Sequence, residues 1–269
     1  MVSGVWQPAL ASSVIGAAHQ RQGKPCQDAS LSCSLKAGCD QLQLMAVADG
    51  HGSEHYWLSQ VGSALACTQA RKSVSKLLDR TPLTAIDRWR QLLQQDLPAA
   101  IHSGWMAAIE ADWRNRQEQD QPFSPLTYGC TLGLVLMAPQ WWGCTGLGDW
   151  DLAGVQKGGS VRLLSREADL HQVGGEATTS LCQPFNQQLW LARTQLHQLD
   201  ADDLLQSLIL STDGVRKSCP TDTDYLQLCA GATKLKDSME LSQGLARITA
   251  QGSGDDVSLT IAVRKELVR

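Results

Sequence analysis

Aspartates recur at one local position in this sequence, at the end or the beginning of apolar segments with the character of β-strands. Asp49 follows the run L-M-A-V-A, Asp213 follows L-I-L-S-T, and Asp149 follows an apolar segment that ends in glycine. Asp28 and Asp255 each stand before a strand-like segment. Strand ends on one rim of a sheet can converge, and converged carboxylates repel one another unless cations neutralise them. The pattern therefore predicts a metal site.

The donor atoms of this predicted site indicate which ion it would hold. Carboxylates, carbonyls and waters, with no Cys or His cluster at ligand spacing, favour hard Mg²⁺ or Mn²⁺ over zinc. Two such ions that share one carboxylate, roughly 3.5 to 4 Å apart, would hold a bridging water of lowered pKa and clamp the oxygens of a phosphoryl group. That chemistry hydrolyses phosphate esters. The alternative for each Asp-Gly pair is a plain turn, which is the more common role of this dipeptide after a strand.

The overall composition argues against several other classes of protein. The 269 residues are 43 % hydrophobic, enough for a sizeable core, and the formal net charge of −4 arises from charges scattered along the chain. We therefore expect no nucleic-acid partner and no membrane association. Nine irregularly spaced cysteines without a C-x-x-C pair indicate reduced thiols, and no segment approaches the roughly 20 apolar residues of a membrane span. The sequence predicts a cytoplasmic monomer.

Hydrophobic periodicity predicts the elements that must position the aspartates. The predicted helices cover 53–78, 82–117 with an interruption or bend near Pro98, and 235–250. The predicted strands cover 41–48, 131–137, 141–147, 150–156, 208–212 and 257–263, of which the three from 131 to 156 are expected to form an antiparallel meander. A turn-rich, flap-like insert is expected around 158–189. We predict an α+β architecture in a single domain over residues 1–269.

Six segments, in order along nearly the whole chain, resemble the metal-dependent protein phosphatases of the 2C class (PPM type), particularly their compact bacterial members. They are 16–29 (GAAHQRQGKPCQDA), 47–52 (VADGHG), 128–133 (YGCTLG), 146–149 (GLGD), 210–215 (LSTDGV) and 254–259 (GDDVSL). The resemblance implies a central antiparallel β-sandwich flanked by helices on both sides, a four-layer αββα arrangement, with a binuclear metal site at one end. It also implies a serine/threonine phosphatase whose partners are phosphorylated proteins.

Carried over position by position, the resemblance implies a ligand set for two ions of Mg²⁺ or Mn²⁺. Asp49 corresponds to the carboxylate that bridges the two ions, and Gly50 corresponds to the backbone carbonyl that binds the first ion. Asp213 and Asp255 correspond to ligands of the second ion. The family pair near the C-terminus is Asp-Asn where this chain has Asp255-Asp256, so the register is ambiguous, and we take Asp256 as the stand-in for Asn.

The resemblance also implies roles around the two ions. Asp28 resembles the acid that holds metal-bound water, and Asp149 resembles the carboxylate associated with a third, weaker ion. His51 matches the histidine proposed to protonate the leaving alkoxide, a role suited to a pKa near 6.5; its alternative role is a loop histidine that hydrogen-bonds a neighbour. Arg21 is our candidate for phosphate binding because its planar fork can bind phosphate bidentately. Lys24 is the alternative candidate, and for both the other interpretation is a solvated surface charge.

Departures from the family pattern keep further functions open. Gln27-Asp28 stands where many members have Glu-Asp, which removes one charge from the outer metal shell. Residues 170–184 fall where members carry a mobile flap, although the glycine pair Gly174-Gly175 is equally typical of a plain turn. The alternatives to an active protein phosphatase are a catalytically weak or inactive domain that binds phosphoproteins, and a phosphatase of small molecules.

Overall fold

Two antiparallel β-sheets form the centre of the computed structural model, which describes residues 4–116, 122–166, 178–200 and 203–266. The first sheet has the order β3 (Ala29–Ala37), β4 (Asp40–Ala48), β5 (Leu132–Ala138), β6 (Trp141–Leu147) and β9 (Gln195–Gln198). The second sheet has the order β1 (Gly4–Trp6), β11 (Val257–Glu266), β10 (Leu205–Ser211), β7 (Asp151–Gln156) and β8 (Val161–Ser165), and β2 (Leu10–Val14) also pairs with β11.

Helices cover the outer faces of both sheets. They are α1 (Ala17–Gln22), α2 (Ser59–Leu78), α3 (Ile86–Gln94), α4 (Asp96–Asn115), α5 (Gln187–Ala192), α6 (Asp213–Lys217), α7 (Asp222–Ala232) and α8 (Ser238–Gln251). Helices α2, α3 and α4 pack on the first sheet, and α7 and α8 pack on the second. This arrangement confirms the predicted α+β fold with two antiparallel sheets between helical layers.

The apolar run in β4 is explained by burial on both faces of the strand. Successive side chains of a strand point to opposite faces of the sheet. Leu44 and Ala46 therefore pack against the helices α2, α3 and α4, whereas Met45 and Val47 pack between the two sheets. A strand that is covered on both faces shows no polar alternation.

The predicted meander over 131–156 is wrong in its third strand. Strands β5 and β6 pair as expected, but β7 leaves the first sheet and pairs with β10 and β8 in the second. The chain crosses between the sheets through Gly148, Asp149 and Trp150, and Gly148 adopts a φ of 88°. A β-carbon at Gly148 would lie only 2.4 Å from Cγ2 of Thr131. Both the positive φ and this close contact therefore require glycine at the crossing. Alternation predicts strands but not their neighbours in a sheet.

The helix boundaries also differ from the prediction. The helix expected from Ser53 begins at Ser59, after a separate turn of 3₁₀-helix at Glu54–Tyr56, and Ser53 makes no side-chain capping bond. The helical stretch expected over 82–117 consists of α3 and α4, and the expected interruption near Pro98 lies at Gln95. Pro98 lies in the first turn of α4, where a missing N–H removes no helical hydrogen bond, so it does not bend the helix.

The predicted insert around 158–189 is described only in part. It contains β8, which forms a hairpin with β7, and residues 178–189 with the beginning of α5. Gly174 and Gly175 lie outside the described residues. None of the helices in the described ranges has the length and apolar character that a membrane crossing requires.

Candidate metal centre

A polar cleft of about 280 Å³ opens where strands of the two sheets end. Asp49 directly follows β4, the crossing from β6 to β7 contains Asp149, and α6 begins at Asp213, two residues after the last residue of β10. Asp255 enters from the segment before β11. The cleft is lined by these four aspartates together with His19, Gln27, Gly50, His51, Gly52, Thr131, Thr178, Lys217 and Asp256.

Three of the carboxylates converge closely. One oxygen from each of Asp49, Asp149 and Asp213 lies within 4.8 Å of the other two. Asp49 is positioned by Thr131, whose side-chain oxygen accepts a hydrogen bond from the Asp49 backbone N–H at 3.0 Å. Thr178 donates a hydrogen bond to Asp149 at 3.2 Å. The separation is suitable for a cation that binds oxygen atoms from several strand ends at once.

Burial and the charges of neighbouring acids raise the pKa values of Asp28, Asp49 and Asp213. For Asp49, burial is the largest cause, followed by the charges of Asp28, Asp213 and Asp149. Burial, together with Asp149, raises the pKa of Asp213 to about 7. Burial also raises the pKa of Asp28 well above its usual range, against a hydrogen bond from Thr212 that favours the charged form. The cluster therefore resists full ionisation in the absence of positive charge.

Two buried carboxylate oxygens indicate where a cation would bind. Oδ1 of Asp28 and Oδ1 of Asp213 are buried and have no hydrogen-bond partner among the described residues. An unpaired buried acceptor is costly unless a cation or water binds it. The donor set consists of carboxylates with no cysteine in the cleft, which fits Mg²⁺ or Mn²⁺ better than zinc.

Asp28 and Gln27 are held by hydrogen bonds from three parts of the chain. Thr212 donates a hydrogen bond to Oδ2 of Asp28 at 2.8 Å. The side-chain amide of Gln27 donates to Ser59 Oγ at 2.7 Å and to the backbone carbonyl of His51 at 3.2 Å. The Gln27 side chain therefore connects the segment before β3 to the loop after β4. A charged Glu at this position has no N–H group and could not donate either of these two hydrogen bonds.

Asp255 and Asp256 have different environments. The Asp255 side chain is 40 % exposed at the cleft, and its Oδ2 lies 3.9 Å from Lys217 Nζ. The Asp256 side chain is 3 % exposed and binds backbone: Oδ1 accepts from Gly16 N–H and Oδ2 accepts from Gln27 N–H, each at 2.6 Å. These contacts agree with Asp255 as the predicted ligand and Asp256 as the structural member of the pair, and the ligand role stays a prediction.

Gly50 and His51 extend from Asp49 along the cleft wall. A β-carbon at Gly50 would lie 2.6 Å from the carbonyl oxygen of Gln27. The loop therefore passes too close to the Gln27 backbone for a residue with a side chain at position 50. The His51 ring packs edge-on against Tyr56, with 4.7 Å between ring centroids. Burial lowers the pKa of His51, and the nearby Asp149 charge partly counters this effect. The imidazole is thus held in place at the cleft and not free in a solvated loop.

The family model for protein phosphatase 2C matches residues 15–249 of this chain. The chain belongs to the protein phosphatase 2C family. A sequence comparison with curated proteins gave no significant match.

Three solved structures, two of them described as serine/threonine phosphatases, share the fold of this chain. The catalytic domain of the serine/threonine protein phosphatase PstP, in complex with two manganese ions, has a TM-score of 0.59 at 17 % identity and covers 98 % of this chain and 100 % of that domain. A serine/threonine phosphatase of S. agalactiae has a TM-score of 0.59 at 16 % identity, covering 96 % and 99 %. PppA, a regulatory component of T6SS in Pseudomonas aeruginosa, has a TM-score of 0.55 at 17 % identity, covering 98 % and 99 %.

Neither candidate for phosphate binding lines the cleft of this 2C phosphatase fold. Arg21 lies on α1 and is exposed, with its guanidinium beside Gly254. Lys24 is exposed in the turn after α1. The structure therefore brings five predicted metal ligands together with His51 in the cleft: Asp49, Gly50, Asp149, Asp213 and Asp255. Asp28 is buried and does not line the cleft, and both basic residues lie outside it.

Two residues of the 2C fold that the sequence did not single out contact the centre. Lys217 projects from α6 and places Nζ 2.7 Å from Asp213 Oδ2. Arg193 is buried and donates to the carbonyls of Gly148 at 2.7 Å and Trp150 at 2.6 Å, which flank Asp149. The four-residue spacing of Asp213 and Lys217 on a helix could have predicted their contact. Nothing local in the sequence indicates the contacts of Arg193.

Proposed function

We propose that this chain is a metal-dependent phosphatase that hydrolyses phosphoserine and phosphothreonine in other proteins. The observation that carries the proposal is the convergence of Asp49, Asp149 and Asp213 within 4.8 Å, beside His51, in a cleft of a 2C-family fold. The fold neighbour PstP, described with two manganese ions, supports a divalent metal requirement. Phosphorylated proteins are the proposed partners. A single domain, a monomeric state and a cytoplasmic location stay predictions.

The proposed ligand set is the one that the resemblance to the family implies, and its residues line the cleft. Asp49 would bridge two ions of Mg²⁺ or Mn²⁺, and the Gly50 carbonyl would bind the first. Asp213 and Asp255 would bind the second ion, and Asp149 would bind a third, weaker ion. When bound, the two principal ions supply positive charge for the phosphoryl oxygens and lower the pKa of the attacking water.

Asp28 would position water next to the metal ligands. Its Oδ2 is already occupied by the hydroxyl of Thr212, which leaves Oδ1 without a protein donor among the described residues. A water that donates to Oδ1 would have a fixed orientation. Because Thr212 directly precedes Asp213, the same short segment positions both Asp28 and a metal ligand.

His51 would supply the proton that the leaving alkoxide requires. The serine or threonine alkoxide is a poor leaving group unless it is protonated as the ester bond breaks. Burial favours the neutral imidazole, whereas the carboxylate of Asp149 favours the protonated form that a general acid needs. The edge-on contact with Tyr56 restricts the ring to one orientation. The general-acid role therefore rests on the position of His51 in the cleft beside Asp149, because burial lowers the pKa of His51 and favours the neutral imidazole.

The test is phosphate release by purified protein from a phosphothreonine peptide and from para-nitrophenyl phosphate, with Mn²⁺, Mg²⁺ or EDTA. We expect metal-dependent release from both substrates and its loss in Asp49→Asn. Asp40→Asn, an exposed aspartate at the start of β4, serves as the matched control and should retain activity. Peptide binding without turnover in any metal would indicate an inactive phosphoprotein-binding domain, and turnover confined to small esters would indicate a small-molecule phosphatase.

A further inference from the structure

Lys217 brings a positive charge into the acidic cleft. It follows Asp213 by four residues on α6, and residues at this spacing lie on the same face of a helix. Its Nζ lies 2.7 Å from Asp213 Oδ2 and 3.9 Å from Asp255 Oδ2. Within the described parts of the chain, no other lysine or arginine lines this cleft.

The position of this ammonium group opposes binding of the second ion. Asp213 and Asp255 are the proposed ligands of the second ion, and Lys217 contacts the first of these and approaches the other. The ammonium group occupies Oδ2 of Asp213, whereas Oδ1 of this carboxylate has no hydrogen-bond partner among the described residues. An ammonium group within about 4 Å of a divalent cation also repels it.

We propose that Lys217 is a built-in counter-ion that competes with the second divalent cation for Asp213 and Asp255. The inference rests on the proposed function. In the metal-free protein, the ammonium group neutralises part of the acidic cluster, and the second ion binds only after the Lys217 side chain is displaced. Metal binding is therefore stepwise, with a stronger first ion at Asp49 and a weaker second ion at Asp213 and Asp255.

An ordinary helical ion pair would not have this effect. Pairs between two exposed side chains contribute little because water screens both charges. Here the Asp213 side chain is 3 % exposed while that of Lys217 is 50 % exposed, so the lysine is free to swing into solvent and the carboxylate is not. This asymmetry is what an exchangeable counter-ion requires.

The test is calorimetric titration of Mn²⁺ into metal-stripped protein, for the wild type, Lys217→Met and Lys217→Gln. We expect the wild type to show one stronger and one weaker binding step, and both variants to bind the weaker ion about tenfold more tightly, since one opposing unit charge is removed. The stronger step should not change. Lys76→Met, which removes an exposed lysine on α2 far along the sequence, is the matched control and should titrate like the wild type.

A second readout uses thermal unfolding. In EDTA, Lys217→Met and Lys217→Gln should unfold at a lower temperature than Lys76→Met because the carboxylates lose their counter-ion. Saturating Mn²⁺ should remove that difference. If wild type and both Lys217 variants bind Mn²⁺ with equal affinities at every step, the counter-ion role is wrong and the metal site remains. If none of the proteins binds Mn²⁺, the proposed metal-dependent function fails together with this inference.

Discussion

The carboxylate of Asp256 is hydrogen-bonded to the backbone of Gln27: Asp256 Oδ2 accepts from Gln27 N–H at 2.6 Å, 229 residues away in the sequence. Oδ1 of the same carboxylate accepts from Gly16 N–H, and His19 Nδ1 lies 3.0 Å from Oδ2. The segment before β11 thus fixes the backbone directly before Asp28. The buried Asp256 therefore helps to position Asp28, whose charge acts on Asp49.

We predict that Asp256→Ala destabilises the fold by about 2 to 4 kcal/mol, because two buried backbone donors lose a charged acceptor. Asp256→Asn keeps one carbonyl oxygen as acceptor and should lose less. The measurement is urea unfolding in EDTA. An Asp256→Ala protein as stable as the wild type would show that these bonds do not hold the segment in place.

Arg193 should matter for both stability and metal binding. Its guanidinium stacks on Trp150, 3.7 Å from the ring centroid, and binds the carbonyls on both sides of Asp149. Arg193→Met leaves these carbonyls without their donor, so we predict a loss of roughly 2 to 4 kcal/mol of unfolding free energy. We also predict weaker Mn²⁺ binding, measured by titration. Arg162→Met, at an exposed position on β8, is the control and should change neither quantity.

Substitution of His51 should lower kcat by an amount that depends on the leaving group of the substrate. Serine and threonine alkoxides need a proton, whereas para-nitrophenolate leaves readily without one. His51→Gln should therefore lower kcat on a phosphothreonine peptide by about 10²-fold or more and lower it much less on para-nitrophenyl phosphate. Equal losses on the two substrates would argue against the general-acid role. The measurement is kcat for both substrates at saturating Mn²⁺.

The metal-free protein should lose stability as the pH rises. The pKa of Asp213 is about 7 in the folded protein, against 3.8 as its ordinary value, chiefly because of burial and then Asp149. The stability linked to protonated Asp213 is fully present below pH 3.8 and is lost as the pH rises through 7. In EDTA, the unfolding temperature should therefore fall between pH 5 and pH 8, and Asp213→Asn should flatten that decline. A wild-type unfolding temperature that rises over this range would contradict the raised pKa.

The sequence predicted the parts of the site that depend on local pattern. Asp49 and Asp213 each follow a buried strand, and strand ends are visible as the end of an apolar run. The resemblance added the order of the motifs and hence the two-sheet fold, which the structure confirms. Convergence itself was only an expectation, because period-two alternation contains no information on which strands are neighbours.

What the sequence could not predict depends on contacts between distant segments. The crossing of β7 into the second sheet depends on pairing with β10, which lies about 50 residues later. The local sequence does not distinguish Arg193 from a surface arginine, but the fold buries it against Trp150. Arg21 has the chemistry of a phosphate ligand and lies in a motif, but the structure places it outside the cleft, where α1 directs it toward Gly254.

The central claim is that the converging carboxylates hold the divalent cations that phosphate-ester hydrolysis requires. The most direct test is phosphate release from a phosphothreonine peptide as Mn²⁺ is added to metal-stripped wild type and to Asp213→Asn, with circular dichroism confirming that both are folded. We predict that wild-type turnover rises from zero with Mn²⁺ and that Asp213→Asn stays strongly impaired throughout the titration. Wild-type turnover in EDTA, or an Asp213→Asn protein with unchanged activity, would contradict the claim.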